Sequence, residues 1–591
     1  MLKRKTIKCD LCVVGGGMSG LCTAISASRE GLNVVLMHER GVLGGNASSE
    51  IRMWICGAKG ENNRETGIIE EIALENAYRN PTKSYAVWDT VLYDFAKREK
   101  NLTLLLNCTC MDAKCEKGEF ADGRDTIIKQ VTGYQMTTQS FIDVEAKFYC
   151  DSSGDSILAP LTGAKFSMGR EGKDEYNEKT ATEKADSMTM GMSCLCYGRE
   201  TDNDVKFTPP SFATKLTKSD FENRNPNLYS ETENFWYLEL GGNRNSIDDT
   251  EEIRDELVAL AVGTWDYIKN SGDHNADKWD LDFLGFLPGK RESRRLHGDY
   301  MITQCDVLDG VVFEDEIAYG GWPIDDHFPG GFWHKGIPNT DFSTPAPYSI
   351  PYRALYSKNV QNLFFAGRNI SMTHSAMSSI RVMATCCLLG EAVGKASALA
   401  VKNNVTPAGV YEKYLSQLQA LLLDEDCFLP HVQRQISSKC KNAKLSAGNG
   451  ILNNGQDRAH KIYNTDENSC AYHAVVGEKI EYTLDNEQLV NDVHIVFDSD
   501  LNRKTLNGGW CEREHSTRAN VIKNAPKLIM PKTLCKNFSL YADDELVLSV
   551  NENRKRAYHV KVNKACKKLA LVVDGSWGES DKIPVISFDF N

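Results

Sequence analysis

The sequence predicts an α/β protein of Rossmann-like type, interrupted by an inserted α+β domain and followed by an all-β sandwich. Three observations predict it. A glycine-rich turn joins an apolar strand to a helix near the start, Leu11 to Glu30. A second strand, glycine and helix follow each other far downstream, Leu363 to Ala400. Between Lys461 and Asn591 the chain reads as short runs of alternating apolar and polar residues, the pattern of antiparallel strands.

Leu11 to Val14 is a short apolar run, the mark of a buried parallel strand. It feeds Gly15-x-Gly17-x-x-Gly20, and a helix pattern runs from Ser19 to Glu30. Gly15 makes the tight turn, Gly17 admits a pyrophosphate to the backbone, and Gly20 lets helix and strand pack closely. Phosphates would sit over Met18 and Ser19 at the helix N-terminus, where unpaired N–H groups favour anions. Gly31 stops the helix, and Asn33 to Met37 is the next strand, with Glu39 placed to accept from a ribose diol. The turn that follows, Arg40-Gly-Val-Leu-Gly44-Gly45-Asn46, would let the backbone run close to a flavin's diphosphate and ribityl chain and leans towards FAD rather than NAD. Cys9 to Asn46 resembles the FAD half of the glutathione-reductase-like flavoproteins, and L-G-G-N-A-S-S resembles the FAD-dependent oxidoreductase family. The resemblance implies FAD as cofactor and spans about Cys9 to Asp426.

A formal charge of −13 and a pI near 5.5, with no dense Lys/Arg stripe, argue against a nucleic-acid partner. The 19 cysteines are odd in number and scattered, which fits free thiols in a reducing compartment. Cys9 and Cys12 fall in one strand on opposite faces. Cys108/Cys110, Cys194/Cys196 and Cys386/Cys387 complete no zinc-ligand spacing. No signal-peptide core or transmembrane run stands out, so the expectation is a cytoplasmic enzyme with no membrane partner.

Helix patterns follow at Thr66–Arg79 and Ala86–Lys100, then a strand at Leu102–Cys110, with Cys110 taken into the cofactor-binding set. Ile127–Gln135 and Gln139–Cys150 alternate as a β-meander that runs into Asp151-Ser-Ser153-Gly154-Asp155. The resemblance likens this to a strand-end motif whose backbone lies against FAD. The boundaries expected are 1–164 and 346–430 for the two parts of the FAD domain, 165–345 for the insert and 431–591 for the β-sandwich. Within the insert, Phe235–Leu240 and Phe283–Leu287 read as strands and Asp248–Asn270 as a helix. Arg291, Arg294 and Arg295 cannot all stay unpaired in a core, so pairs with Glu292 and Asp299 are expected, and one arginine facing the cleft.

In the second cofactor segment Leu363–Ala366 is a strand, Gly367 a close-approach turn before Arg368, and Ser379–Ala400 a helix. The resemblance implies that this helix N-terminus, with Ser379, Arg381 and Val382, faces the flavin and stabilises the negative charge of its reduced N1–C2=O edge. His374, between strand and helix, is the candidate base for a hydroxyl donor, or else a histidine packed beside the cofactor. Arg52 is the second catalytic candidate, an anchor for a carboxylate or oxyanion, or simply a partner of Glu50. Cys56 lacks the second cysteine of a disulfide reductase. After Pro430 the texture change predicts a separable β unit, and its V-H-I-V-F-D-S-D…M-P-K and closing W-G…I-S-F-D-F segments resemble a galactose-binding-like jelly roll. Three functions stay open: hydride transfer between a small molecule, such as a sugar or polyol hydroxyl, and flavin N5; reduction of an unsaturated or quinone-like acceptor; and a carbohydrate-binding flavoprotein without turnover. Substrate, electron acceptor and homo-oligomeric state are not specified by the sequence.

Overall fold

Every element of the N-terminal half is arranged around strand β1 (Lys3–Val14) in the structure, a computed structural model that describes residues 2–118, 123–230, 233–503 and 515–591. Only its last four residues are fully buried, which is the run that reads as a strand in the sequence. Helix α1 (Met18–Arg29) follows, then β2 (Val34–Met37), parallel to β1 with Leu11 opposite Val34. Helices α2 (Ile68–Arg79) and α3 (Tyr85–Arg98) come next. The predicted Leu102–Cys110 strand is two: β3 (Leu102–Leu105), parallel to β2, and β4 (Cys108–Lys117), the break falling where Asn107 takes φ +52°. With β5 (Thr126–Gln135) and β6 (Ser140–Asp151) the sheet runs β3-β2-β1-β6-β5-β4. β6 is parallel to β1 and antiparallel to β5, and Leu363–Phe365 adds a parallel strand on β6. The five parallel strands, the Rossmann-like part, therefore include one contributed from far down the chain.

The helix Met383–Asn403 lies against α1. A Cβ on Gly390 would fall 2.2 Å from the Ser19 carbonyl oxygen and one on Gly394 2.5 Å from Ser26 Cβ, so the contact exists only because both residues are glycine. Ser26 Oγ donates to the Glu391 carbonyl at 2.9 Å across it. This helix is long and apolar enough to cross a membrane, but it is almost wholly buried inside the protein. It is a core helix.

The insert is held by short ladders and one long helix, Thr250–Asn270, over its own apolar core. The predicted strand Phe235–Leu240 shrinks to Glu239–Leu240, because Phe235 takes φ +51° and breaks the extended run; Trp279–Leu284 replaces Phe283–Leu287.

The C-terminal described residues form one antiparallel seven-stranded sheet dominated by Lys479–Phe497 and Ala557–Ser576. It is not an independent appendage. Leu74 and Ala77 of α2 belong to its apolar core. Arg458 donates to the Asn62 and Arg64 carbonyls at 2.9 and 3.0 Å, and Arg503 pairs with Glu70 of α2 at 2.9 Å. Arg556 is paired with Asp426, both buried. His515 stacks on Trp54 with ring centroids 5.1 Å apart. The unit expected to be separable is thus packed on the flavin half, and truncation would strip apolar surface and charge partners from it.

Candidate active site

One cavity of about 830 Å³ runs from the first glycine turn to a polar end under the insert. At its first end Gly15, Gly17, Met18 and Ser19 line the wall, with Gly44, Gly45 and Asn46 beside them. Gly15 takes φ +106°, and a Cβ on Gly20 would sit 1.9 Å from the Gly15 carbonyl oxygen; Gly20 is thus the strand–helix contact and lies behind the wall. Gly17 differs: a Cβ there would meet nothing nearer than Gly45 Cα at 3.9 Å, so the backbone lies open to the cavity. No side chain caps α1. Its first-turn N–H groups are left for an anion.

Glu39 and Arg40 line the same end. Burial works against the Glu39 charge, but His38 and Arg40 hold its carboxyl down to about 2, so it stands as an acceptor for a diol. Cys110 does not line the cavity. Along β4 the side chains alternate, and it is Thr109 that faces in while Cys108 and Cys110 enter the core.

Midway, Ser153, Gly154 and Asp155 meet Gly367 and Arg368. Asp155 accepts from Lys290 and Arg368, each at 2.8 Å, and from Ser293 Oγ at 2.8 Å. Burial opposes its charge, and those two cations still keep Asp155 below the usual carboxylate range. Among the described residues, Ser19 Oγ, Arg40 Nη1, Arg368 Nε and Arg381 Nε are buried polar atoms without a partner. Together with the open Gly17 backbone they fit a dinucleotide with a diphosphate at its centre: α1 and Ser19 for the phosphates, Glu39 for a ribose.

The predicted Ser379–Ala400 helix is broken. One helix, His374–Ile380, is capped by Thr373 Oγ1, and a second begins at Met383 after Val382 adopts φ −65°, ψ 140°. Arg381, Val382, Met383 and Cys386 line the cavity, so the helix end that faces it starts at Met383. Ser379 does not reach it. Its hydroxyl is bonded to Tyr348 Oη at 2.6 Å and to the Trp322 carbonyl, and braces that tryptophan from behind.

Both catalytic candidates are corrected. His374 is 4% exposed and lies outside the cavity wall. Its Nδ1 meets Glu292 at 2.9 Å and its Nε2 meets Asp326 at 3.0 Å. Against the cost of burial these carboxylates raise its pKa to about 10, so it is a fixed cation with both ring nitrogens used. Arg52, at φ +66°, turns away between Ile51 and Met53, which do line the cavity. Its guanidinium lies 4.0 Å from the Phe283 ring centroid and 3.4 Å from Asp282, not on Glu50. Of the insert arginines, Arg291 faces the cavity and Arg295 pairs with Glu292 and Glu171; Asp299 pairs instead with Arg124.

The histidine that does line the cavity is His327, which the sequence reading passed over. Its Nδ1 is 2.6 Å from Glu239 and its Nε2 3.4 Å from Asp325. Burial lowers its pKa, but Glu239 and Asp325 outweigh that and raise it above 6.5. Arg291 reaches Glu239 at 3.4 Å, and Arg381 reaches Asp325 at 3.2 Å. Trp236 meets the His327 ring edge-on at 5.1 Å, and Trp322 also lines the cavity and donates from Nε1 to Asp325. The signal was present in Ile324-Asp-Asp-His327, directly after the Gly-Gly-Trp-Pro segment: in a strand its second and fourth residues share a face.

A family model described as FAD dependent oxidoreductase matches residues 10–422. The chain belongs to that family. It is an enzyme, and FAD is its cofactor. No curated protein matches this flavoprotein in sequence. Solved structures similar to it include a geranylgeranyl bacteriochlorophyll reductase-like protein from Thermoplasma acidophilum, at 13% identity over 72% of this chain and 85% of that one, TM-score 0.30. Another is p-nitrophenol 4-monooxygenase from Pseudomonas putida, at 11% identity over 71% and 86%, TM-score 0.31. A family 32 carbohydrate-binding module from Streptococcus pneumoniae EndoD aligns at 13% identity with 26% of this chain and 99% of its own, TM-score 0.18.

Proposed function

We propose that this FAD-dependent oxidoreductase oxidises a hydroxyl of a small polyhydroxylated molecule, with His327 as the acid–base residue. The observation that carries the reading is the His327–Glu239 pair at the polar end of the flavin cavity, Nδ1 to carboxylate 2.6 Å. Bound FAD supplies a two-electron acceptor for the hydride that leaves the carbinol carbon. His327 Nε2 takes the hydroxyl proton, and Glu239 holds the ring by its Nδ1–H and stabilises the imidazolium that forms. Arg291 keeps Glu239 ionised by standing 3.4 Å away, so the pair does not trade its own proton.

Only neutral His327 can accept a proton, and its pKa is raised. Donor oxidation should therefore rise with pH through a limb above 6.5. The protonated ring would serve the opposite direction, reduction of a carbonyl or other unsaturated acceptor, which should weaken through the same limb. A polyol or sugar is preferred because carboxylates, an amide and two tryptophans converge there, a set that bonds hydroxyls and packs on C–H faces. A sugar-binding role for the C-terminal sheet and its galactose-binding-like reading remain part of this proposal.

Anaerobic mixing with a panel of sugars, polyols and simple alcohols, read by bleaching of the flavin absorbance, tests it. His327→Asn should keep FAD and slow reduction by about 10²–10⁴-fold, with the pH limb gone. A variant that reduces at the wild-type rate would overturn the assignment.

A further inference from the structure

The polar end of the cavity has an architecture that speaks to substrate class, an inference that rests on the dehydrogenase reading above. Strand Ile324–His327 pairs with Asn339–Phe342 so that Asp325 lies opposite Asp341 and His327 opposite Asn339. Directly opposed residues of an antiparallel pair share a face, and all four side chains line the cavity. The hairpin is a palm of four polar groups.

Two of them are committed within the protein. His327 is held by Glu239, and Asp325 accepts from Arg381, Trp322 Nε1 and Asn339 Nδ2. Among the described residues nothing donates to Asn339 Oδ1, which leaves that oxygen available to a ligand. Asp341, exposed at the rim, has no ion pair or hydrogen bond among the described residues; Lys59 acts on it only through space and lies instead 5.0 Å over the Trp322 ring. Two carboxylates opposite one another across a ladder repel, and a ligand that donates hydroxyls between them removes the conflict.

At the polar end each arginine already stands against a carboxylate, Arg291 at 3.4 Å from Glu239 and Arg381 at 3.2 Å from Asp325. Lys290 and Arg368 share the Asp155 carboxylate midway along the cavity. At the entrance the Asp341 charge repels a carboxylate on the substrate.

We propose that Asp341 and Asn339 form a hydroxyl-reading subsite that takes the vicinal hydroxyls of a neutral pyranose or polyol in the part of the cavity that Trp236 and Trp322 also line, and rejects acid sugars. The vicinal pair donates to the Asp341 carboxylate and to Asn339 Oδ1, which orients the ring before any proton reaches His327.

Difference titration of the oxidised holoenzyme's flavin band tests this, with methyl glucopyranoside, methyl galactopyranoside and xylitol as neutral probes and glucuronate and galacturonate as acid ones. At least one neutral probe should perturb the band with an affinity about tenfold or more above its acid counterpart. Asp341→Ala should weaken that probe by about tenfold or more, the loss of a hydrogen bond to a charged group, with FAD content unchanged. Asp341→Asn, which keeps an acceptor and removes the charge, should narrow the neutral-over-acid preference. Acid probes that bind as tightly as neutral ones, no perturbation by any neutral probe, or unchanged binding in Asp341→Ala would each overturn the subsite. If a simple alcohol bleaches the flavin with a His327-dependent limb while sugars do nothing, only this inference falls. If sugars bind as described but never reduce the flavin, the dehydrogenase reading falls and the subsite stands.

Discussion

Replacing Arg556 by methionine should unlock the C-terminal sheet from the flavin half. Arg556 is 1% exposed, pairs with Asp426 through Nη1 and donates through Nη2 to the Asp457 carbonyl. Methionine fills similar space but leaves Asp426, 8% exposed, without its contact cation. Breaking a buried pair from one side costs about 3–5 kcal/mol, mostly the penalty of the stranded charge. Arg458 still acts on Asp426 from a distance, which places the expected loss near the lower end of that range. The loss must depend on pH. Burial already raises Asp426 to about 6 against the pull of Arg556 and Arg458. A carboxyl whose folded pKa is raised favours folding below its unfolded pKa and loses that contribution as pH rises through the folded value. In the variant the folded pKa rises further. The destabilisation should then be small near pH 5, where Asp426 takes a proton, and full at pH 8. Urea unfolding followed by circular dichroism and by release of FAD fluorescence reads both pH values. Arg556→Met/Asp426→Asn should recover about half or more of the loss at pH 8, because no charge is stranded. Equal losses at the two pH values, or a double variant as unstable as the single one, would refute the reasoning.

Gly17→Val should give a folded protein without FAD, since its backbone is open to the cavity and a branched side chain would occupy the diphosphate path; yellow protein after purification would contradict this. Gly390→Val should fail earlier, in folding itself, because a Cβ there would stand 2.2 Å from the Ser19 carbonyl oxygen; soluble expression at the wild-type level would count against that packing. His374→Gln should lower the unfolding midpoint without removing the pH limb of flavin reduction. With a folded pKa of about 10, the His374 contribution is full below its ordinary 6.5 and is lost as pH rises through 10, so the variant should lose the alkaline part of the stability profile.

Much of the flavin half was legible because steric rules wrote it. Gly20 must be glycine where the Gly15 carbonyl oxygen approaches within 1.9 Å of a Cβ position, and such demands leave fixed spacings in a sequence. Parallel strands buried on both faces leave apolar runs, which is why Leu11–Val14 and Leu363–Phe365 could be read. The helix break at Arg381–Val382 left no such trace. No glycine or proline marks it, and Val382 is extended only because the next turn docks elsewhere, with the Ala384 N–H donating to the Cys56 carbonyl at 2.9 Å. The attachment of the C-terminal sheet was equally invisible. Leu74 and Ala77 read as the apolar face of any amphipathic helix, and nothing local says that this face completes a core begun 400 residues away. His374 was misread for a related reason: a position between two flavin-side elements fixes the backbone but not the direction of the ring.

The two buried histidines show why direction decides chemistry here. Each is bracketed by two carboxylates, and neighbouring residues of one strand supply one carboxylate to each: Asp325 to His327 and Asp326 to His374. Alternation along the strand sends Asp325 and His327 into the cavity and Asp326 behind it. Behind the strand, His374 joins Glu292, Arg295 and Glu171 in a sealed network in which every charge has a partner. A proton lost from that network would strand a buried charge, so the network holds its protons and works as a clamp on Asp326. A short strand paired over only four residues is weakly pinned in register, and a slip by one would exchange its two faces. The clamp on Asp326 adds to the holds of Arg381 on Asp325 and of Glu239 on His327 against that slip. His374 thus serves the site through Asp326, as one of several contacts that keep the Ile324–His327 strand in the register that turns His327, whose proton can move, towards the cavity.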